Sequence, residues 1–144
     1  MPRPFTLPTN CQFPPAIPEQ VSPETLQAIL LAAGAIARAD GAADPREGRA
    51  LLAFLREHGI LARHGRAAIS AAYEARIAGR RRSLADAADE LAALGGLAGT
   101  AAAPLIAAAA AHVARADGVA WPQEVALLAV IRDRLGIRAG RAPA

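Results

Sequence analysis

"ARADGAADPREG", residues 37–48, and "ARADGVAWPQEV", residues 114–125, spell nearly the same phrase twice, 77 positions apart. Each copy predicts the same local event. An apolar, alanine-rich helix runs into Asp-Gly, and the glycine tolerates the left-handed conformation that ends a helix (Gly41, Gly118). A proline then opens the next helix (Pro45, Pro122), with a glutamate two positions later at the third helical residue (Glu47, Glu124). Between residues 33–60 and 110–137, twelve of 28 aligned positions are identical, including Arg38/Arg115, Asp40/Asp117, Leu51/Leu128 and Gly59/Gly136. The phrase is therefore the bend of an αα-hairpin, and the hairpin is duplicated. Neither copy can bury its apolar face alone, so the two are expected to pack as a bundle with pseudo-two-fold character.

Working outward, Ser22 offers a cap, Pro23 suits the first helical position and Glu24 favours the positive end of the helix. Leu26, Ile29, Leu30, Ala33, Ile36 and Ala37 follow at helical spacing. Asp44 can cap the second helix and Glu47 can close a capping box. Leu51, Leu52, Phe54 and Leu55 form its apolar face, and Gly59 ends it. Ala68, Ile69, Ala72, Tyr73 and Ile77 mark a further helix. Ser83 and Asp86 start another that closes at Gly95-Gly96. An alanine-rich helix follows from about Ala101 to Ala116, with Pro104 in its first turn. The last helix runs from Pro122 towards Ile137. No segment alternates with β periodicity. The expected fold is an all-α bundle of about six to seven helices over residues 21–137. A proline-rich arm precedes it over residues 1–20 (Pro2, Pro4, Pro8, Pro14, Pro15 and Pro18), and a flexible tail follows over residues 138–144.

Composition narrows the function classes. At 144 residues the chain can bury one modest core. It holds 40 alanines, 16 arginines and no lysine, a bias that inflates the apolar fraction and makes the +3 net charge weak evidence for an anionic partner. The single cysteine, Cys11, excludes an intramolecular disulfide and a cysteine-rich zinc site. No secretory leader is read in the first residues, which points to the cytoplasm. The uncharged stretch Leu91–Ala111 is long enough to span a bilayer, but alanine, glycine and the Gly95-Gly96 break read as a buried helix, so no membrane anchor is expected.

The elbows are the chemical candidates. Asp40, Gly41 and Glu47 reproduce the second half of an EF-hand loop, as do Asp117, Gly118 and Glu124. The first half fails in both, because Ile36 and Arg38, then Val113 and Arg115, stand where oxygen ligands are needed. Brought together, Asp40, Asp44, Glu47, Asp117 and Glu124 would still make an oxygen-rich site suited to Ca²⁺ or Mg²⁺. The lack of a local His or Cys argues against zinc. The competing reading is structural: helix terminator, first-turn proline and capping-box glutamate. It leaves the aspartate before each glycine facing the negative end of a helix, where Arg38, Arg115, a cation or nearby amides must compensate. In the second copy Trp121 replaces Asp44.

These residues carry a resemblance. "ARADGAADPREGRALLAFL" and "ARADGVAWPQEVALLAVI" resemble the signature hairpins of the TerB-like family, which includes tellurite-resistance proteins and the N-terminal domain of the DjlA co-chaperone. Over residues 24–137 the resemblance implies an all-helical bundle and a stress-linked or interaction module without established catalytic activity. It also implies an acidic, metal-binding surface that would map to Asp40, Asp44, Glu47, Asp117 and Glu124. No J-domain accompanies it.

The remaining candidates are surfaces. Arg80, Arg81 and Arg82 form the strongest basic run. With Tyr73 as the nearest aromatic they offer no stacking platform, which reads against nucleic acid. Trp121, at the mouth of the second elbow, is expected to cover the bundle's end or to present a contact for a protein partner. His58 and His64 read as surface residues, and His112 as packed or half-exposed. No catalytic triad or phosphate loop is present, which reads against an enzyme.

Overall fold

The computed structural model describes residues 22–39, 44–78, 84–116, 118 and 121–137. Within them the chain is all-helical, with α1 Pro23–Ala37, α2 Pro45–Glu57, α3 Ile60–His64, α4 Arg66–Ile77, α5 Leu84–Leu91, a 3-10 helix Ala92–Leu97, α6 Ala102–Ala114 and α7 Pro122–Arg134. Asp40, Asp117, Arg80, Arg81 and Arg82 lie outside the described residues, as do the proline-rich arm and the tail.

The bundle is built around α1 and α6, which pack most extensively on each other. Both are buried on nearly every side. In α1 every residue from Ala32 to Ala37 is buried, and in α6 only Pro104 and Ala108 are fully exposed. A helix apolar all round belongs at a centre rather than on a surface. Alanines Ala32, Ala33, Ala109 and Ala110 are all fully buried, and small side chains let two helix axes approach to the short end of the usual ~8–10 Å. The other helices wrap this pair. α2 packs on α6, α4 on α1, and α7 on both α5 and α6. Fully buried Ile29, Ile36, Leu51, Leu55, Ile106 and Ile131 close the core.

The expected start and stop signals operate. The Ser22 hydroxyl accepts from the Thr25 amide at 3.1 Å, and Pro104 sits in the first turn of α6. Two expectations are corrected. Gly95-Gly96 does not close an α-helix. α5 ends at Leu91, a 3-10 helix passes through both glycines to Leu97, and Gly99 then turns the chain at φ +78°. The uncharged stretch is thereby split, and among the described residues no helix is long and apolar enough to cross a membrane. A short helix, α3, also intervenes between α2 and α4. Gly59 (φ +74°) and Gly65 (φ +89°) bracket it so that Ile60 and Leu61 turn inward.

Candidate functional site

α1 and α6, the helices that precede the two elbows, end in the same way. Arg38 and Arg115 occupy the C-caps of α1 and α6 with φ −94° in both. Their amides donate to Gly34 and Ala111 at 3.1 and 3.2 Å. The next amides, of Ala39 and Ala116, donate to Ile36 and Val113 at 3.1 Å in each copy. Gly118 takes the left-handed conformation, φ +78°, that its place after the helix predicts.

The second helices begin differently. At α2 the capping box is complete. Asp44 Oδ1 accepts from the Arg46 amide at 2.8 Å, and Glu47 Oε1 accepts from the Asp44 amide at 3.0 Å. The Arg46 guanidinium folds over the same carboxylate, with Nη2 2.8 Å from Oδ2 and Nε 3.2 Å from each oxygen. Both oxygens of Asp44 are thus engaged before any ligand is considered. At α7 the cap position is Trp121, whose side chain makes no cap bond. Glu47 and Glu124 are each only 1% exposed, so the repeated glutamate is a buried residue at both elbows. Among the described residues no group of three or more His, Cys, Asp or Glu is placed to hold a metal ion. The two aspartates that would complete the expected acidic set, Asp40 and Asp117, lie outside those residues.

The Arg46 side chain, and next its backbone amide, hold the Asp44 carboxyl below its ordinary 3.8. As the pH falls below that value the unfolded chain takes up a proton that folded Asp44 still refuses, so stability declines. The contribution is gone below the folded pKa. Asp44→Asn is therefore expected to flatten the acid limb of a plot of Tm against pH. An unchanged acid limb would remove Asp44 from the acid transition.

Beside this elbow a pocket of about 350 Å³ is lined by Asp44, Gly48, Arg49, Leu52, Tyr73 and Glu74, among others. Tyr73 lies so close to the α2 backbone that a Cβ at Gly48 would stand 3.2 Å from its ring. Its hydroxyl is buried and has no hydrogen-bond partner among the described residues. Burial first, then the charges of Glu47 and Glu74, push the phenol well above its ordinary 10. Tyr73→Phe removes an unsatisfied polar atom and keeps the ring. Urea unfolding is expected to show unchanged stability or a gain of about 1 kcal/mol; a clear loss would mean that the hydroxyl has an acceptor.

Several candidates stand elsewhere than the sequence suggested. His58 is not a plain surface residue. Its ring stacks on Phe54 with centroids 4.2 Å apart, and its Nδ1 lies 2.9 Å from the Phe54 carbonyl oxygen. His112, by contrast, is half-buried as expected, its ring centroid 5.7 Å from that of Phe54. Ala68, expected on the inner face of α4, is exposed. Trp121 is 40% exposed and Val125, one turn on, 52%. The identity of Leu51 and Leu128 does not carry equal burial either. α2 buries Glu47, Leu51, Phe54 and Leu55, whereas α7 buries Glu124, Leu127 and Ile131.

One pair of residues was invisible in the sequence. Arg38 turns inward with its side chain 10% exposed, and its Nη2 lies 3.4 Å from Glu90 Oε1 on α5. Its repeat partner Arg115 is exposed. The arginine in "ARADG" could be flagged, but no local signal ties it to a glutamate 52 positions away.

The fold and the elbows define an all-α helical bundle with carboxylates built into a helix start. No protein-family model matches this chain, and no curated protein or solved structure matches it either.

Proposed function

We propose that this chain is a non-enzymatic protein-interaction module of the TerB-like type, in which the repeated Asp-Gly-Pro-Glu phrase is a folding device rather than a metal site. The observation that carries this reading is the occupation of the first elbow. Asp44 caps α2 and holds Arg46 on both oxygens, while Glu47 closes the box from a buried position. A divalent cation there would have to displace a guanidinium and break a helix cap, losing charge-assisted hydrogen bonds it must then replace. The TerB-like assignment, with its association with stress and tellurite resistance, rests on the motif resemblance alone. The exposed pair Trp121 and Val125 offers contact area of the amphipathic kind that partner surfaces favour.

The test is calorimetric titration of chelator-treated protein with Ca²⁺ and Mg²⁺, beside an Asp40→Asn/Asp117→Asn double variant. The expected result is no saturable heat at millimolar cation while the helical circular dichroism signal is intact. Saturable binding lost in the double variant would overturn the reading. It would restore a cation module built on Asp40, Asp44, Glu47, Asp117 and Glu124.

A further inference from the structure

Two depressions run together along one side of α1. The first, about 570 Å³, is chiefly apolar, lined by Ala28, Leu31, Leu94 and Leu97, with Glu24 at the α1 N-terminal end. The second, about 300 Å³, is polar, lined by Arg38, Arg76 and Glu90 beside the α1 backbone at Gly34 and Ala35. Leu31 and Arg76 line both, so the two depressions adjoin and we take them as the two ends of one groove. Gly34 makes this possible, since a Cβ there would stand 3.2 Å from Arg76 Cβ.

The basic end is under-used. A guanidinium carries five N–H donors in a planar fork. Arg38 is nine-tenths buried, yet among the described residues its side chain makes one hydrogen bond, to Glu90 at 3.4 Å. That is longer than the ~2.7–2.9 Å of a charge-assisted pair. Its Nε has no partner among the described residues. Buried donors are normally satisfied, and an exception calls for an explanation. Arg76 gives one bond to Gln27 at 3.1 Å. Among the described residues two guanidinium groups face one carboxylate here, an excess of positive charge.

From this geometry we infer that the groove binds a short peptide whose apolar residues lie over Leu31, Leu94 and Leu97 and whose acidic C-terminal end pairs with Arg38 and Arg76. Charge complementarity sets the direction: the peptide's basic end lies at Glu24 and its carboxylates at Arg38. The α1 segment from Glu24 to Arg38 measures roughly 21 Å at helical rise, which about six extended residues span. This rests on the interaction-module reading and adds the class of partner and its site.

The probe is a peptide of about six residues with lysine first, leucine and alanine in the middle and aspartate at its free C-terminus. Its control carries asparagine and a C-terminal amide. Both are titrated into the full chain and followed by backbone amide chemical shifts. The acidic peptide is expected to bind roughly tenfold or more tightly than the control, with shifts confined to α1, the end of α4, α5 and the 3-10 helix. Arg76→Ala should abolish most of that difference. This variant is chosen because Arg38→Gln removes a buried ion pair and risks the fold itself. Equal affinity for the two peptides, absence of binding, or indifference to Arg76→Ala would overturn the inference. So would a dimer in sedimentation that Arg76→Ala dissociates, which would give the groove to a second copy. Shifts at Trp121 and Val125 instead would overturn the groove while leaving the interaction-module reading standing. That broader reading fails separately, in the cation titration.

Discussion

Ile106→Ala is expected to cost this bundle about 2–5 kcal/mol of unfolding free energy, the usual range for deleting a large aliphatic side chain from a packed core. Ile106 is fully buried. It lies on α6, the helix that meets α1, α2 and α7, so the cavity would open where three neighbours converge. Small domains hold roughly 5–15 kcal/mol in total, so the variant loses a large fraction of what keeps it folded. Urea unfolding of the purified variant measures the change. Ala108→Glu, an exposed position on the same helix, is the companion control and should move stability by no more than about 0.5 kcal/mol. A loss below about 1 kcal/mol for Ile106→Ala would mean that α6 is not at the centre of the bundle.

Ala110→Leu tests the same helix from the opposite direction. Ala110 and Ala33 are both fully buried, on the two helices that pack most extensively. With both sites fully buried, a longer side chain at either would have to displace packed neighbours. Overfilling such a site forces side chains off their rotamers or shifts the backbone, at about 1–3 kcal/mol and occasionally more. Ala110→Leu is therefore expected to destabilise although it adds apolar surface, and Ala33→Leu should do the same. Chemical denaturation decides it. A gain in stability at either position would show unfilled space at that site rather than close packing.

The two predictions separate what alanine means in this chain. By composition it looks like bias, and on the exposed stripe of Pro104 and Ala108 nothing in the packing demands it. At Ala33 and Ala110 it occupies fully buried positions. The sequence did not distinguish these uses, because a helix that is apolar all round has no face for periodicity to mark.

The sequence by itself determined the all-helical class, most of the helices and the chemistry of their starts. It did not foresee α3 or the 3-10 helix, and α1 packs chiefly on α6 and α4 rather than on α2, its expected hairpin partner. Ser22, Asp44 and Glu47 make the cap bonds their types and spacing predict, because capping is a local interaction spanning three residues. The repeated phrase likewise forecast helix ends that match each other, although the C-caps fall at Arg38 and Arg115, two residues before the expected Asp-Gly. Tertiary structure decided what the copies do afterwards. Identical arginines diverge, one turned inward to Glu90 and one exposed, because only Arg38 has α4 and α5 folded against it. Identical leucines diverge as well, since α7 turns Leu127 inward where α2 turns Leu51. Trp121 stays largely exposed where its counterpart Asp44 caps a helix. Local rules fix how a chain starts and stops a helix. Which side of it is buried, and which charges meet, depends on neighbours that arrive from fifty residues or more along the chain, and no pattern within one segment records them.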